Sequence, residues 1–542
     1  MKKIITVIYT LSFVIGAVSA QSVYDGVKIA DKDLNGTARF VGMGGAMGAL
    51  GGDITTMGTN PAGIGIYRSN DVMTSFSYSA YGMESKYEGQ KSTIDKNRWS
   101  FDNIGVVFAT KIGNQTPLRY VNFGFNYKRS KSFYKNMSMS GMMGVVENPS
   151  NPGSPYYVSQ TNSMALQATD AERYVWDNSR QHLDFDNANR IFSDPDAGWL
   201  GALGYQGGLT ERDRIDNFLP VEPSSVFNSR EKGGIDQYDF NVSFNINDRV
   251  YLGLTIGAYD VDYDKYSGYD ESYKRGEGYS LESYNNISGS GFDVKMGLIL
   301  RPFEYSPFRI GFAVHTPTFY KLTYSTSAIV TNDYRDAKTD ELKRIIVDTY
   351  DYVGDMKRDY RLVTPWKYNV SLGYTVGTSL ALGAEYEYED YSTMKFKYSS
   401  NDGGGDMEFE NAEVKNCLKG EHTFRIGAEY KVIPEFAFRL GYNYSSAVFR
   451  DEAVKYIPSN SLITDTDFSN KRSQSNYTLG IGYRGKMFYA DLAYQLSTYK
   501  ENFYPFYNEF ELTQGEWTMV TPPATKVTNT RSQVLLTVGM RF

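Results

Sequence analysis

The chain has 542 residues, a formal net charge of −7, 41% hydrophobic residues, one cysteine and three histidines. The single cysteine, Cys417, excludes a disulfide within the chain, and His182, His315 and His422 are not at metal-ligand spacing from one another. Beyond the N-terminus no stretch is long and apolar enough for a membrane-spanning helix.

The N-terminus has the pattern of a secretory signal peptide. Lys2 and Lys3 form a basic start, residues 4–16 form an apolar segment, and Val18 and Ala20 suit a cleavage site. We therefore predict a signal peptide over 1–20 and an exported mature chain.

Residues 36–68 differ from the rest of the chain because they are rich in glycine and alanine and lack bulky side chains. Such a segment can pack its backbone closely against a larger structure. We predict that residues 21–69 form a plug inside a closed barrel that spans 70–542. The predicted plug and gating residues are Gly42, Gly44, Gly45, Asn60, Pro61 and Ala62.

Two other interpretations of these glycines remain open. A dinucleotide-binding loop has to follow a buried strand and begin a helix, but the residues before Gly42 are polar and mixed. The segment could also be a glycine-rich surface loop.

Downstream of the plug, segments of alternating polar and apolar residues recur, as expected for strands with one apolar face. We predict fourteen of them, an even number as in single-chain bacterial barrels. Their predicted ranges are 70–81, 99–110, 118–129, 237–247, 250–263, 291–301, 308–316, 366–376, 379–391, 423–432, 436–445, 477–484, 487–499 and 531–542.

The connections between these strands alternate between short and long. Short turns include 248–249, 377–378, 433–435 and 485–486, and the long connections include 82–98 and 130–236. Short periplasmic turns and long extracellular loops are the pattern of outer-membrane barrels. The predicted fold class is thus an all-β membrane protein, a 14-stranded antiparallel transmembrane β-barrel with an N-terminal helical, glycine-rich plug.

The fifth predicted strand has an ambiguous orientation. Leu252, Leu254 and Ile256 share a face with Asp260 and Asp262. Either a bulge switches the faces near Ala258, or the aliphatic row points inward and gives the lumen an apolar lining.

The largest connection, 130–236, is long enough to suggest a function of its own. We predict short helices at 168–178 and 197–204. Trp199, Leu200 and Leu203 form an apolar cluster in the second, either as simple loop core or as a surface groove that captures an apolar ligand.

Other constellations give little sign of chemistry. No nucleophile elbow is present, and His315 precedes Thr316-Pro317 at a strand end. The spacing of Asp260, Asp262 and Asp264 is similar to that of a calcium-binding loop. However, Lys265 occupies the position at which that loop needs glycine. Lumen charges of both signs, among them Arg425 and Arg439, argue against an ion filter of one sign. We expect no enzyme activity, metal, cofactor or nucleic-acid partner.

The run from Arg39 to Gly63 reads RFVGMGGAMGALGGDITTMGTNPAG. It resembles the start of the FadL family of outer-membrane channels for long-chain fatty acids and other hydrophobic compounds, which place a glycine-rich hatch and an Asn-Pro-Ala motif before the first strand. The final strand ends on Phe542 and resembles the signal read by the barrel-assembly machinery.

This resemblance implies passive uptake of hydrophobic molecules by a monomer in the Gram-negative outer membrane, surrounded by its lipids. It also implies capture by the loops, gating by the plug and lateral release through a wall gap made by an inward kink in one strand. Gly124, in the third strand, is the candidate kink. The alternative is a protein-interaction or anchoring subunit of a type IX secretion system, because similar barrels serve there.

Overall fold

The structure is a computed structural model that describes residues 21–143, 145–147, 153, 155–177, 184–194, 197–210, 224–336, 338–513 and 516–542. The predicted signal peptide and His182 lie outside these residues. Within them, no helix combines the length and apolarity needed to cross a membrane.

Fourteen antiparallel strands close into a barrel, as predicted. Strand fourteen pairs with strand one from Asp71↔Arg541 to Lys86↔Lys526, which closes the sheet into a barrel. Numbered one to fourteen in chain order, the strands are Asp71–Tyr87, Gln90–Lys111, Leu118–Ser132 continued by Lys135–Met142, Ser224–Ile246, Val250–Ser272, Gly278–Leu300, Arg309–His315 continued by Phe319–Arg335, Met356–Val363 continued by Lys367–Val376, Leu380–Asp390 continued by Lys395–Tyr398, Gly420–Ile433, Phe436–Ser445, Phe468–Arg484, Phe488–Tyr504 and Thr525–Arg541.

The predicted strand boundaries hold at one end of the barrel only. At the end with the short turns, here called the turn end, every boundary agrees within one residue. At the opposite end, the loop end, most strands run further than predicted, and the predicted loop 82–98 is instead a hairpin that turns at Glu88 and Gly89. The apolar alternation that reveals a strand stops where its outward side chains leave the apolar belt.

The outward face of the barrel carries a continuous apolar belt. It includes the exposed side chains of Phe76, Ile104, Phe240, Leu254, Met296, Phe312, Val370, Ile426, Leu440, Leu479 and Leu536. Inward positions at the same height are mostly polar or glycine.

Strand five corrects both interpretations offered for it. Leu252, Leu254 and Ile256 are exposed on the exterior, and the pairing with strands four and six shows no register shift. Asp260 and Asp262 follow on the same outward face. The strand extends beyond the apolar belt, so its outward residues change from aliphatic to acidic without a bulge.

The N-terminal segment lies inside the barrel and is buried almost throughout. It contains helices α1 (Val23–Ala30) and α2 (Ala38–Gly42) and the 3-10 turns Ile54–Gly58 and Pro61–Ile66. Ser22 and Asp25 cap α1 reciprocally, and Thr37 caps α2. The elements are short, so their stability comes from packing against the wall.

A lid of connecting segments covers the loop end. Its helices are α3 (Gln160–Asp177), α4 (Ala188–Ile191), α5 (Trp199–Gln206), α6 (Thr349–Val353) and α7 (Glu408–Cys417). Short strands Val145–Glu147, Pro155–Tyr157, Leu342–Asp348, Asn508–Thr513 and Glu516–Val520 complete it. Helix α3 packs on α5, and the lid shares one apolar core with α1 of the plug.

Candidate functional site

The C-terminal half of the plug touches the wall backbone to backbone. Gly44 has a φ of +63°, and a Cβ there would lie 2.8 Å from the amide nitrogen of Tyr442. Glycines on the wall lie opposite the plug in the same way. A Cβ on Gly441 or Gly427 would lie within 2.3 Å of plug backbone atoms. A larger side chain on either surface would therefore push the plug away from the wall.

Sequence analysis missed the wall half of this contact. One inward glycine on each of several strands approaches the plug in the same way, namely Gly253, Gly297, Gly383, Gly427 and Gly441. Glycine in the middle of a strand signals a close approach by another backbone, so inward glycines recurring from strand to strand could have located the plug.

The Asn60-Pro61-Ala62 motif sits at one of these contacts. The Asn60 amide donates to the carbonyl of Gly48 in the plug at 2.9 Å and to that of Leu298 in strand six at 3.3 Å. Its oxygen accepts from the Ala62 amide at 3.2 Å, and the side chain is fully buried. Ser243 of strand four donates to the Pro61 carbonyl at 2.8 Å. The motif thus joins plug to plug and plug to wall.

Ion pairs also fix the plug. Arg39 of α2 reaches Glu429 with two nitrogens, at 2.8 and 3.0 Å, and Arg439 binds the same carboxylate at 2.7 Å. Arg425 binds Glu385, which in turn accepts from the amide of Gly48. The predicted lumen residues Arg425 and Arg439 are therefore engaged at the sides of the plug.

Above this half of the plug lies a cavity of about 240 Å³. It extends along α1 and residues 31–34 of the plug to the inner faces of strands one to five and twelve to fourteen. Aromatic and aliphatic side chains share its surface with ion pairs; they include Tyr24, Met83, Phe133, Phe449 and Phe468.

Asp31 is the centre of the charged part of this cavity. Its carboxylate accepts from Lys131 at 2.7 Å and from Lys471 at 3.0 Å. Burial alone would raise the pKa of Asp31, but the two lysines hold that pKa well below its usual range. Asp33 beside it binds Lys131 and Arg531.

The strand pairing of the wall is interrupted beside this cavity, where strands two and three part. Their last pair is Asn103↔Lys128. From there strand two continues to Gln90 paired only with strand one, and strand three pairs only with strand four within the described residues. We call this divergence the fork.

The upper part of strand three runs inside the barrel. Met137 and Met139 are buried, and Ser85 of strand one donates to the carbonyl of Ser138 at 2.6 Å. Strand three therefore passes behind the hairpin of strands one and two. The cavity extends to the hairpin at this position, since Lys96, an exposed residue of strand two, forms part of its lining.

Besides the bond from Ser85 to Ser138, two further contacts span the fork. Asn35 of the plug donates to Asp102 of strand two at 3.0 Å and to the carbonyl of Arg129 in strand three at 3.1 Å. Further up, the ring of Tyr134 lies 5.3 Å from that of Tyr81 and 5.5 Å from the guanidinium of Arg98. Sequence analysis identified none of these residues. Each has a residue type that is common in strands or loops, and only the position of the fork distinguishes it.

Several predicted site residues lie elsewhere. Gly124 pairs regularly with Val107 and Asn241, so strand three has no kink there; its missing side chain makes room for Met57 of the plug. The register shifts of strand three against strand four lie between Leu118 and Tyr120, at the turn end, and between Arg129 and Lys131, beside the fork. The aliphatic residues of strand five, as described above, face outward and do not line the lumen.

The apolar cluster of the long loop is not a surface groove. Trp199, Leu200 and Leu203 are all 0% exposed and form the core of the lid. In this closed arrangement these side chains are therefore not accessible for the capture of a ligand.

The hydrogen bond of His315 does not indicate a catalytic role. Its Nε2 lies 2.8 Å from the carbonyl of Thr59 and thus forms another contact between wall and plug. In the part of the chain that the structure describes, no three His, Cys, Asp or Glu residues are grouped as a metal site.

Comparison with known proteins gives a match in structure but not in sequence. Neither models of known families nor curated proteins match the chain. A FadL homologue from Pseudomonas aeruginosa aligns with a TM-score of 0.50 and 12% identity over 95% of this chain and 100% of that one.

Two toluene transporters align less closely. For TodX of P. putida the TM-score is 0.46 with 11% identity, over 94% of this chain and 99% of that one. For TbuX of Ralstonia pickettii the values are 0.42 and 12%, over 94% and 99%. We base the assignment on the first comparison: the protein has the fold of the FadL homologue, a closed fourteen-stranded barrel with its N-terminal segment as a plug.

Proposed function

We propose that the protein is a passive channel for hydrophobic molecules in the Gram-negative outer membrane. The observation that carries this proposal is the fork, where two wall strands part beside an internal cavity near the edge of the apolar belt. The similarity in fold to a FadL homologue supports the proposal.

The exterior favours a membrane location. Below the fork every wall strand pairs with both of its neighbours, so the backbone groups are hydrogen-bonded as lipid requires, and the belt of outward apolar side chains also suits lipid. Aromatic residues such as Tyr78, Trp99 and Tyr238 lie where the belt ends on strands one, two and four. We also propose that residues 1–20 direct export, that the loop end faces outward, and that Phe542 is read by the assembly machinery.

The plug favours a lateral exit. Between cavity and turn end the lumen is filled by plug residues whose backbone touches wall glycines, so a straight passage would require the whole plug to move. An exit through the fork would require the Asn35 bridge, the Tyr134 contacts and the bond from Ser85 to Ser138 to give way, while the lower plug stays in place. We therefore propose that cargo passes from the lid to the cavity and leaves through the fork into the bilayer, with Asn60-Pro61-Ala62 keeping the lower plug closed.

The size of the cavity bears on the cargo. About 240 Å³ is small beside typical ligand pockets and suits a compact molecule. A long-chain fatty acid would have to displace the segment from α1 to Leu34, which lines the cavity.

Uptake of labelled toluene and labelled fatty acid by cells of a Gram-negative host that lacks its own such channel tests this proposal. We expect faster uptake of at least one compound in cells making the protein than in cells making an equal amount of an unrelated barrel. Equal uptake of both compounds in the two kinds of cell would contradict the proposal. The comparisons do not support the alternative that the protein is a subunit of a type IX secretion system.

A further inference from the structure

The cavity has a lining with many charged side chains. Basic and acidic side chains line it in nearly equal numbers, eight and seven. Apart from exposed Lys96, each basic group bonds to a carboxylate of the same cavity; examples are Lys28 with Glu231 at 2.7 Å and Lys471 with Asp31 at 3.0 Å.

The same cavity has an aromatic part. Tyr24 of α1 stacks on Phe449 with ring centroids 4.6 Å apart and lies 5.5 Å from Phe468. Phe468 is followed within the same strand by Lys471, which pairs with Asp31. An apolar surface and a matched pair of opposite charges are therefore neighbours.

We propose that the preferred cargo is a zwitterionic amphiphile, a molecule that carries one cationic and one anionic group on an apolar body. This inference rests on the proposed function and narrows its substrate class.

The physical reason is the pairing already present. A hydrocarbon would remove water from these ion pairs and offer no replacement partner. A carboxylate alone would compete with Asp31 for its lysines and leave one negative charge unpaired. A zwitterion can exchange partners, with its anion on Lys471 and its cation on Asp31, so that every charge remains paired.

Binding of four octyl compounds to the purified protein in a nonionic detergent tests the proposal. The probes are an octyl sulfobetaine, octanoate, octyltrimethylammonium and octanol, each below its micelle concentration and measured by calorimetry. We expect the sulfobetaine to bind about tenfold more tightly than each of the others, the ratio that one extra favourable charge contact of ordinary strength gives.

Two variants shift the charge balance in opposite directions. Asp31→Asn frees Lys471 and should raise the affinity for octanoate severalfold, whereas Lys471→Met should raise that for octyltrimethylammonium. Asp260→Asn, on the exposed exterior of strand five, is the matched control and should leave the ranking unchanged. Heat-modifiable migration on gels verifies that each barrel has folded.

Octanol or octanoate binding as tightly as the sulfobetaine, or an unchanged ranking in both cavity variants, would overturn the zwitterion inference while leaving a hydrophobic channel intact. Failure of all four probes to bind would count against the proposed function as well.

Discussion

Single amide side chains connect the plug to the barrel at its two decisive places. Asn60 holds the lower plug to strand six, and Asn35 joins the two arms of the fork. An amide suits such positions because one group can donate twice and also accept. Removing either one leaves buried partners without a hydrogen bond, and this costs more than the bond itself contributes.

Asn60→Ala tests the lower contact. The variant loses the bonds to Gly48 and Leu298, at a cost of about 1–3 kcal/mol in plug stability. The barrel ladder is separate, so assembly should be normal. Single-channel conductance should show more frequent open events than in the wild type, and conductance traces identical to the wild type would mean that Asn60 does not hold the plug closed.

Asn35→Leu tests the upper contact. Loss of the bridge should loosen the fork and speed hydrogen exchange of the backbone at Arg129–Ser132 by about tenfold or more, for a cost of about 1–3 kcal/mol.

Asn286→Leu is the matched control for this change. Asn286 also binds a carboxylate and a carbonyl, those of Asp264 and Tyr263, but on strands that are fully paired. Exchange at Arg129–Ser132 should not change in the control, and equal protection in wild type and Asn35→Leu would show that the bridge does not hold the fork.

At the scale of elements, the lid depends on a buried carboxylate. Glu271, at the loop end of strand five, accepts from the hydroxyls of Ser159, Tyr269 and Tyr273 and from the amide of Gln160 at the start of α3. One side chain therefore anchors a lid helix to the barrel.

Glu271→Ala should release the N-terminus of α3, because four donors lose their acceptor. We expect limited proteolysis to cut within Gln160–Asp177 several times faster than in wild type, with the barrel strands protected in both. An unchanged cleavage rate would show that the apolar packing of α3 on α5 is sufficient to hold the lid.

Some of the structural elements could be predicted from the sequence and others could not. The fourteen strands were predictable because lipid-facing and inward residues alternate, and the turn-end boundaries followed because each turn interrupts that alternation. Strand five was misinterpreted because its alternation continues beyond the belt with acidic outward residues. The fork could not be predicted, since it depends on which strands fail to pair, and Asn103 and Lys128 differ in no visible way from their neighbours.

At the scale of the whole molecule, long and short connections segregate to opposite ends of the barrel. The lid, with its exposed turns such as that at Gly403–Gly405, is all at the loop end. An outer-membrane barrel with periplasmic short turns would present this end to the medium.

Protease treatment of intact cells tests that orientation. We expect cleavage within 130–236 and at Gly403–Gly405, while the turns at Asp248-Arg249 and Gly377-Thr378 are cut only after the cells are lysed. Cleavage of the short turns in intact cells, with the lid protected, would invert the orientation.

The central claim is that cargo leaves through the fork, and closing the fork covalently tests it most directly. Tyr81→Cys with Tyr134→Cys, in a Cys417→Ala background, places two thiols where aromatic rings now lie 5.3 Å apart. Tyr266→Cys with Tyr284→Cys is the control, because those rings lie 5.2 Å apart on strands that are already paired.

The measurement is uptake of the labelled compound before and after a short bifunctional thiol reagent joins each pair. We predict that the bridge between Tyr81→Cys and Tyr134→Cys abolishes uptake, whereas the bridge between Tyr266→Cys and Tyr284→Cys leaves it unchanged. Undiminished uptake through a barrel whose fork is fully cross-linked would contradict the account.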